Sequence, residues 1–199
     1  MVLAHVRQGR PAMQEDPIRT RILDAAEELF YGQGIQAIGM DAVRTAAGVT
    51  LRRLYQQFPS KGALVEEYLR RRDARWLNDL KEYVEAADVS PRERVLVVFD
   101  WLHGWFEEPD FRGCAFINSF GELGATSPEV TDAARHHKER FRHYVADLAG
   151  RAGVPADVAD QVVLLAEGAM TTAAISGSPR PAARARAAAA TLLQGSRVA

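Results

Sequence analysis

The stretch "AGVTLRRLYQQFPSKGAL", residues 47–64, contains a glycine turn, two adjacent arginines and a Pro-Ser-Lys break. A short helix is predicted just before it, over about 40–47, because Gly48 interrupts the helical pattern. A second short helix is predicted over 50–57, because Pro59 cannot continue it. Two short helices joined by the turn "AAGV" are typical of a helix-turn-helix, in which the second helix is presented to the major groove of DNA.

The second of these helices has two predicted faces. An apolar stripe at spacings of three and four residues should pack against the preceding helices; it comprises Leu51, Leu54, Tyr55 and Phe58. The opposite face should point outward and comprises Arg52, Arg53, Gln56 and Gln57. Arginine can pair with guanine and glutamine with adenine, and Lys61 just beyond the helix suits a phosphate contact. The alternative is an amphipathic helix with a solvated polar face.

The remaining sequence is also helical in pattern. Structure should start near Pro17, and Ser60 should cap a long helix with five inward residues, Leu64, Tyr68, Trp76, Leu80 and Tyr83. A largely buried helix should begin at Pro91, and others are predicted over about 113–124, 127–151, 155–176 and 180–195. We therefore predict an all-α fold with a flexible arm (1–16), a helix-turn-helix domain (17–62) and a larger helical domain (63–199).

Composition and charge narrow the function classes. The 199 residues are 47% hydrophobic and 26% charged, as in globular proteins. The net charge of -1 argues against non-specific coating of nucleic acid, although residues 1–61 hold eight basic and six acidic side chains. With one cysteine, no signal peptide and no apolar run of about 20 residues, we expect a cytoplasmic protein without a membrane segment.

Catalytic and metal motifs are lacking in the sequence. It has no glycine-rich phosphate loop, nucleophile motif or recognisable carboxylate pair, which predicts that the chain is not an enzyme and has no cofactor. His136, His137, Arg140 and His143 have too few carboxylate or thiolate companions for a metal site. Cys114 is either a redox-active thiol near a helix start or a buried inert one.

Residues 18–64 resemble the DNA-binding domain of the TetR family of bacterial transcriptional regulators. The resemblance lies in "ILDAAEELFYGQG", "AAGVT", "LYQQF" and "PSKGAL", in this order and without a gap. Later, "RGCAFINSFGELG" resembles a segment of one branch of the family's C-terminal domains. The resemblance implies an all-helical fold with a three-helix DNA-binding head and a larger body that binds ligand and dimerises.

The family's DNA contacts, carried over to matching positions, are Thr50, Leu51, Arg52, Arg53, Tyr55, Gln56 and Lys61. Three positions depart from the family pattern. Gly39 replaces a capping threonine, so a phosphate contact there must come from the backbone. Arg44 replaces a small packed residue and either reaches toward DNA or tilts the helix pair. Leu51 replaces a polar residue and either contacts a thymine methyl group or extends the core, which is the favoured interpretation. Arg7 and Arg10 on the arm could enter a minor groove, although an unbound tail is favoured.

The predicted body supplies a ligand site and a dimer interface. An unknown small-molecule effector is implied by the resemblance, and the aromatic residues that could line its pocket are Trp101, Trp105, Phe116 and Phe120; alternatively they are ordinary core. Small residues on the last two helices predict a homodimer interface of Val158, Val162, Leu165, Ala169, Ala173, Ala187 and Leu193. The predicted function is a repressor that binds palindromic double-stranded operator DNA as a dimer. The alternative is a helical small-molecule-binding protein or redox sensor without operator binding.

Overall fold

The computed structural model describes residues 16–196, which form nine α-helices and no strands. The helices are α1 (Pro17–Gln33), α2 (Met40–Ala46), α3 (Leu51–Gln57), α4 (Lys61–Ala86), α5 (Pro91–Phe106), α6 (Ala115–Leu123), α7 (Pro128–Arg151), α8 (Ala156–Ser176) and α9 (Arg180–Gly195). The all-α prediction is confirmed. The predictions for Arg7 and Arg10 lie outside the described residues.

Helices α1 to α3 form a small unit that we call the head. Asp16 caps α1 by accepting a hydrogen bond from the backbone N–H of Ile18 at 2.9 Å. Gly48 has a φ of 63°, in the left-handed region that favours glycine, so it permits the sharp turn between α2 and α3. The head core is apolar and includes Ile22, Ala26, Phe30, Val43, Leu54 and Phe58.

Helix α4 is one continuous helix of 26 residues that runs from the head into the rest of the fold. It begins at Lys61, where the Ser60 hydroxyl accepts a hydrogen bond from the N–H of Ala63 at 3.1 Å, and it crosses the predicted domain boundary at 62/63. Four of its five predicted inward residues are buried. The prediction for Tyr83 is wrong, because Tyr83 is 49% exposed and Val84, four residues after Leu80, takes the inward position.

Helices α5 to α9 form the body, with α5 at its centre. Helix α5 is largely buried, as predicted, and packs against α4, α7, α8 and α9. Helix α8 is long and apolar enough to cross a membrane by length and composition alone, a feature that the sequence analysis did not anticipate. Its buried face packs in the bundle through Val162, Ala166, Ala169, Met170 and Ala173, so we interpret it as a bundle element.

Ion pairs fix α1 against α4. The Glu27 carboxylate accepts hydrogen bonds from Arg71 at 3.0 Å, from Arg72 at 2.8 Å and from Arg75. Burial alone would raise the pKa of Glu27, but the three guanidinium groups outweigh it and lower that pKa. This carboxylate therefore remains charged and ties the head to α4.

Two further links join the head to the segment around α6. The Tyr31 hydroxyl donates to the carbonyl of Gly113 and accepts from the N–H of Arg112, both at 2.8 Å. The Glu122 carboxylate accepts from the backbone N–H of Gln36 at 2.8 Å, and the Gln36 side chain donates to the Glu122 carbonyl. The head is therefore bonded to α4, and it contacts the body at both ends of α6.

Candidate functional site

The apolar face of α3 is narrower than predicted. Leu54 and Phe58 are buried, whereas Leu51 is 43% and Tyr55 46% exposed. Leu54 and Phe58 lie four residues apart and share the inward face of this two-turn helix. Leu51 and Tyr55 lie at the outer edge of the apolar stripe and turn away from the head core. The interpretation of Leu51 as a core residue is therefore wrong, and Leu51 and Tyr55 join the outward surface of this helix.

The exposed surface of α3 carries cationic side chains without acidic partners. Arg52 and Arg53 are both exposed, and neither forms an ion pair with any residue of the range 16–196. Thr50 caps the helix, with its hydroxyl accepting from the N–H of Arg53 at 3.3 Å, and Gln56 is exposed beside the arginines. Unpaired guanidinium groups on a helix surface are free to bind base edges or phosphates.

Gln57 differs from the prediction that it points outward to read bases. Its side-chain amide donates to the Asp16 carboxylate at 2.6 Å, and its carbonyl accepts from Arg19 at 3.3 Å. The Arg19 guanidinium also lies 4.4 Å from the centre of the Phe58 ring. Gln57 thus fastens the end of α3 to the start of α1, which fixes the orientation of the exposed face.

Three other predicted contact positions lie around α3. Gly39 caps α2 without a side-chain hydrogen bond, as expected. Arg44 is a partly exposed surface residue whose Nε donates to Asp41 at 2.6 Å, so it is not packed between the helices. Lys61 is half-buried at the first position of α4 and forms no ion pair with the residues described.

The four predicted ligand residues do not share one cavity. Trp101 and Trp105 line two adjoining cavities of about 190 and 220 Å³ beside α4 and α5. Phe116 and Phe120 line a separate, mostly apolar cavity of about 350 Å³ between α6 and α7. Trp105 and Phe116 are largely core, whereas Phe120 is 52% exposed.

Trp76 of α4 lies between the two groups. Its ring is 5.0 Å from that of Trp101, 5.7 Å from that of Trp105 and 5.0 Å from that of His137. His137 in turn stacks on Phe116 with 3.8 Å between ring centres. The sequence pattern predicts an inward position for Trp76 but does not link it to a site.

A buried polar network lies behind these rings, and the sequence analysis missed most of it. Asp73, only 6% exposed, bonds His137 Nδ1 at 2.8 Å and also pairs with Arg140. Lys138 Nζ lies 3.3 Å from the Cys114 sulfur and 2.6 Å from the Glu167 carboxylate. The sequence contains one indication of this network. Asp73 is a charged residue midway between Leu69 and Leu77, at the four-residue spacing of the buried apolar positions of α4.

The network changes the chemistry of the buried Cys114. Burial by itself would raise the pKa of the thiol, but a hydrogen bond from His137 and the charge of Lys138 outweigh it and bring the pKa to about 7. Burial likewise disfavours charged His137, but the bond to Asp73 outweighs this and raises its pKa. Cys114 is therefore a buried thiol with substantial thiolate character, which combines parts of both predicted alternatives.

We expect the ultraviolet absorbance of the Cys114 thiolate to appear with a midpoint near pH 7, below the ~8.5 of an exposed thiol. His137→Gln removes the cationic donor and should raise this midpoint, whereas His136→Gln, at the exposed neighbouring position, should not. A wild-type midpoint above pH 8 would contradict the assigned environment.

The histidines that were considered for a metal site, and judged to lack enough companions for one, point in different directions. His137 points into the core and bonds Asp73, whereas His136 and His143 are exposed. Among residues 16–196, no group of three or more His, Cys, Asp or Glu side chains converges on a point where a metal ion could lie.

Most of the predicted dimer residues face the chain's own core. Val162, Ala169, Ala173 and Leu193 are buried in the single chain, Val158 and Leu165 are partly buried against the core, and Ala187 is exposed. The outward face of α8 instead carries Leu164, 71% exposed, and Ile175, 84% exposed. The small-residue stripes thus pack α8 within the bundle, and a different face of α8 is left open.

Known protein families match both the head and the body of this architecture. A family model described as bacterial regulatory proteins, tetR family, matches residues 22–68, and one described as tetracyclin repressor-like, C-terminal domain, matches residues 91–189. The chain is 31% identical over 189 residues to the HTH-type transcriptional regulator Rv1255c of Mycobacterium tuberculosis, with 81% of this chain and 91% of that protein covered.

Two crystal structures are similar over almost their whole length. SCO4454, a TetR-family transcriptional regulator from Streptomyces coelicolor, has a TM-score of 0.83 at 25% identity, covering 92% of this chain and 97% of that chain. Sav143 from Streptomyces avermitilis has a TM-score of 0.79 at 31% identity, covering 93% of this chain and 100% of that chain. The likeness therefore includes both the head and the body.

Proposed function

This chain belongs to the TetR family and is a helix-turn-helix transcriptional regulator, and we propose that it is a repressor released from its operator by a small-molecule effector. The observation that carries the DNA-binding part is the pair of exposed arginines on α3, Arg52 and Arg53, which have no acidic partner among residues 16–196. Thr50, Leu51, Tyr55 and Gln56 would complete the base-reading face, with Lys61 on the phosphate backbone. Arg44 would add a DNA contact from its position beside α3.

We expect Arg52→Ala or Arg53→Ala to weaken operator binding by about 1–3 kcal/mol and to relax the preference at one base pair. Lys61→Ala should weaken all sequences similarly, because a phosphate contact carries no sequence information. Arg180→Ala, an exposed body residue, is the control. Gel shifts with the protein's own upstream region, over a range of salt concentrations, measure these effects.

Wild-type affinity and selectivity in both arginine variants would contradict the assignment. If the wild-type protein shifted no such fragment, it would support the alternative function, a helical ligand-binding protein or redox sensor that does not bind an operator.

The operator-binding form would be a two-fold dimer. One head reaches only one half-site, so a palindromic operator requires two heads related by symmetry. The open face of α8 supports a second copy of this chain as the occupant. Its exposed residues recur every three or four positions, with large apolar groups at Leu164 and Ile175 and small or polar ones at Gly168 and Thr171. Exposed Ala183 and Ala187 of α9 would border this face.

The effector would bind in the body and act by preferring the conformation that does not bind DNA. The cavities lined by Trp101 and Trp105, or by Phe116 and Phe120, are the candidate sites. Both cavities lie beside segments that are bonded to the head. Helix α4 donates hydrogen bonds to Glu27 of α1, and Glu122 of α6 accepts one from the backbone of Gln36. We place this function in the cytoplasm, where operator DNA is found, without an enzymatic step or a cofactor.

A further inference from the structure

The cavities beside Trp101 and Trp105 form one continuous cleft. They share four lining residues, Asp79, Trp101, Trp105 and Glu108. We call this surface the tryptophan cleft and include in it Trp76, which lines the first cavity. Helix α4 therefore supplies one wall, and α5 with the residues after it supplies the other.

The floor of the tryptophan cleft is aromatic. Trp101 and Trp105 are stacked with 5.7 Å between ring centres, and Trp76 meets Trp101 edge-on at 5.0 Å. The face of an indole ring carries negative electrostatic potential and attracts cations, more strongly than Tyr or Phe does. This floor favours a positively charged or neutral apolar group over an anion.

The rim of the cleft is acidic and incompletely neutralised. Five carboxylates and two guanidinium groups line it, and one of the carboxylates, Asp100, is paired with Arg186 outside the cleft at 2.8 Å. Both guanidinium groups, those of Arg72 and Arg75, bond Glu27. The side chains of Asp79 and Glu108 form no hydrogen bond or ion pair with another residue of the described range, and partial burial raises the pKa of each. Arg75 and Arg72 act on these two carboxylates only from a distance, so a bound cation would relieve the negative charge that remains.

A second feature of the cleft is an unsatisfied donor. Trp76 is only 8% exposed, and its indole N–H has no hydrogen-bond acceptor among the residues described. Buried donors in proteins almost always have an acceptor, since an unmet one costs about 1–3 kcal/mol. The nitrogen is buried beneath the cleft surface, so a ligand in the first cavity meets the ring of Trp76 and not its N–H.

We propose that the tryptophan cleft binds a small organic ammonium ion, with the cation between the indoles and the carboxylates of Asp79 and Glu108. This inference deepens the proposed function, because it names the chemical class of the effector and rests on the body being a ligand-binding domain. An anion would meet the acidic rim, and a neutral apolar ligand would leave both carboxylates uncompensated.

The test uses choline as the probe and tryptophan fluorescence as the readout. The chain has three tryptophans, and all three line the cleft, so a ligand bound there should change the fluorescence. Choline should change the fluorescence saturably, and the response should weaken at high salt. The neutral analogue 3,3-dimethylbutan-1-ol, which has the same shape without the charge, should give a much weaker response at equal concentration.

Variants assign the response to specific groups. The double variant Asp79→Asn, Glu108→Gln should raise the Kd for choline by about tenfold or more, because both compensating charges are lost. Glu107→Gln changes an exposed neighbour that lies 3.8 Å from His103, and it should leave the Kd unchanged.

The outcomes separate this inference from the proposed function, because fluorescence is measured without DNA. The inference is overturned by the absence of a saturable choline response, by equal binding of the neutral analogue, or by an unchanged Kd in the double variant. A choline response in a protein that does not shift operator DNA would support the cleft and contradict the repressor. An operator shift without a choline response would contradict the proposed cleft and support the repressor.

Discussion

Leu164→Glu is expected to convert the proposed dimer into monomers and to lower operator affinity by about a hundredfold or more, because two linked heads bind far more tightly than one. Leu164 is 71% exposed on the open face of α8, so glutamate at this position leaves the folded chain undisturbed. In a two-fold dimer the substitution would bury two carboxylates near the symmetry axis, which is strongly unfavourable. Light scattering measures the mass, and gel shifts measure the affinity.

Val89→Glu is the matched control, because Val89 is an exposed apolar residue in the loop before α5, away from α8. It should remain dimeric and bind the operator normally. A Leu164→Glu protein that stayed dimeric at micromolar concentration would place the interface on another face.

The second large effect is expected at the buried carboxylate of Asp73. Asp73→Ala should lower the free energy of unfolding by about 3–5 kcal/mol, because it leaves His137 and Arg140 without their buried partner. The distance from Asp73 to His137 is 2.8 Å, and both residues are almost fully buried. Urea denaturation followed by circular dichroism measures the difference.

The pH dependence of this difference follows from the pKa of Asp73. Burial would raise that pKa, but His137 and Arg140 outweigh it and lower it in the folded chain. A carboxyl with a lowered pKa stabilises the fold above its unfolded pKa of about 3.9 and loses this contribution as the pH falls. His137, whose pKa Asp73 raises, contributes fully only below its unfolded pKa of about 6.5. The gap between wild type and Asp73→Ala should therefore be full between about pH 5 and 6 and narrow below about pH 4.

Asp132→Ala is the control for Asp73→Ala. It removes an exposed carboxylate paired with Arg135 at 2.8 Å, and exposed pairs of this kind contribute little. An Asp73→Ala protein no less stable than Asp132→Ala would show that the buried network does not hold α4 against α7.

The positions of the helices could be predicted from local sequence because their ends are marked chemically. Ser60, Ser90 and Ser127 each cap a helix as their position before a helical pattern indicates. Gly48 likewise allows the turn before α3. These signals depend on neighbouring residues alone.

The candidate site could be predicted only in part, because the exposure of its residues depends on which helix faces pack against each other. The outward Arg52 and Arg53 follow from periodicity, but the exposure of Tyr55 depends on the two-turn length of α3 and the head beneath it. The α8 stripe through Val162 and Ala169 had two possible uses, inside the bundle or between two chains. Sequence spacing is the same for both, and the structure places this stripe inside.

The continuity of α4 determines how a small movement in the body reaches the DNA. Fifteen residues separate Trp76, in the tryptophan cleft, from Lys61 at the start of the helix, and at 1.5 Å per residue this is a rigid arm of roughly 22 Å. A tilt of about 5° around Trp76 would displace Lys61 by about 2 Å, more than a hydrogen bond tolerates. In a symmetric dimer both arms tilt together, so the spacing between the two recognition helices would change by up to twice that amount. If an effector tilts α4, we therefore expect the length of this helix to magnify a small movement at Trp76 into a larger one at Lys61.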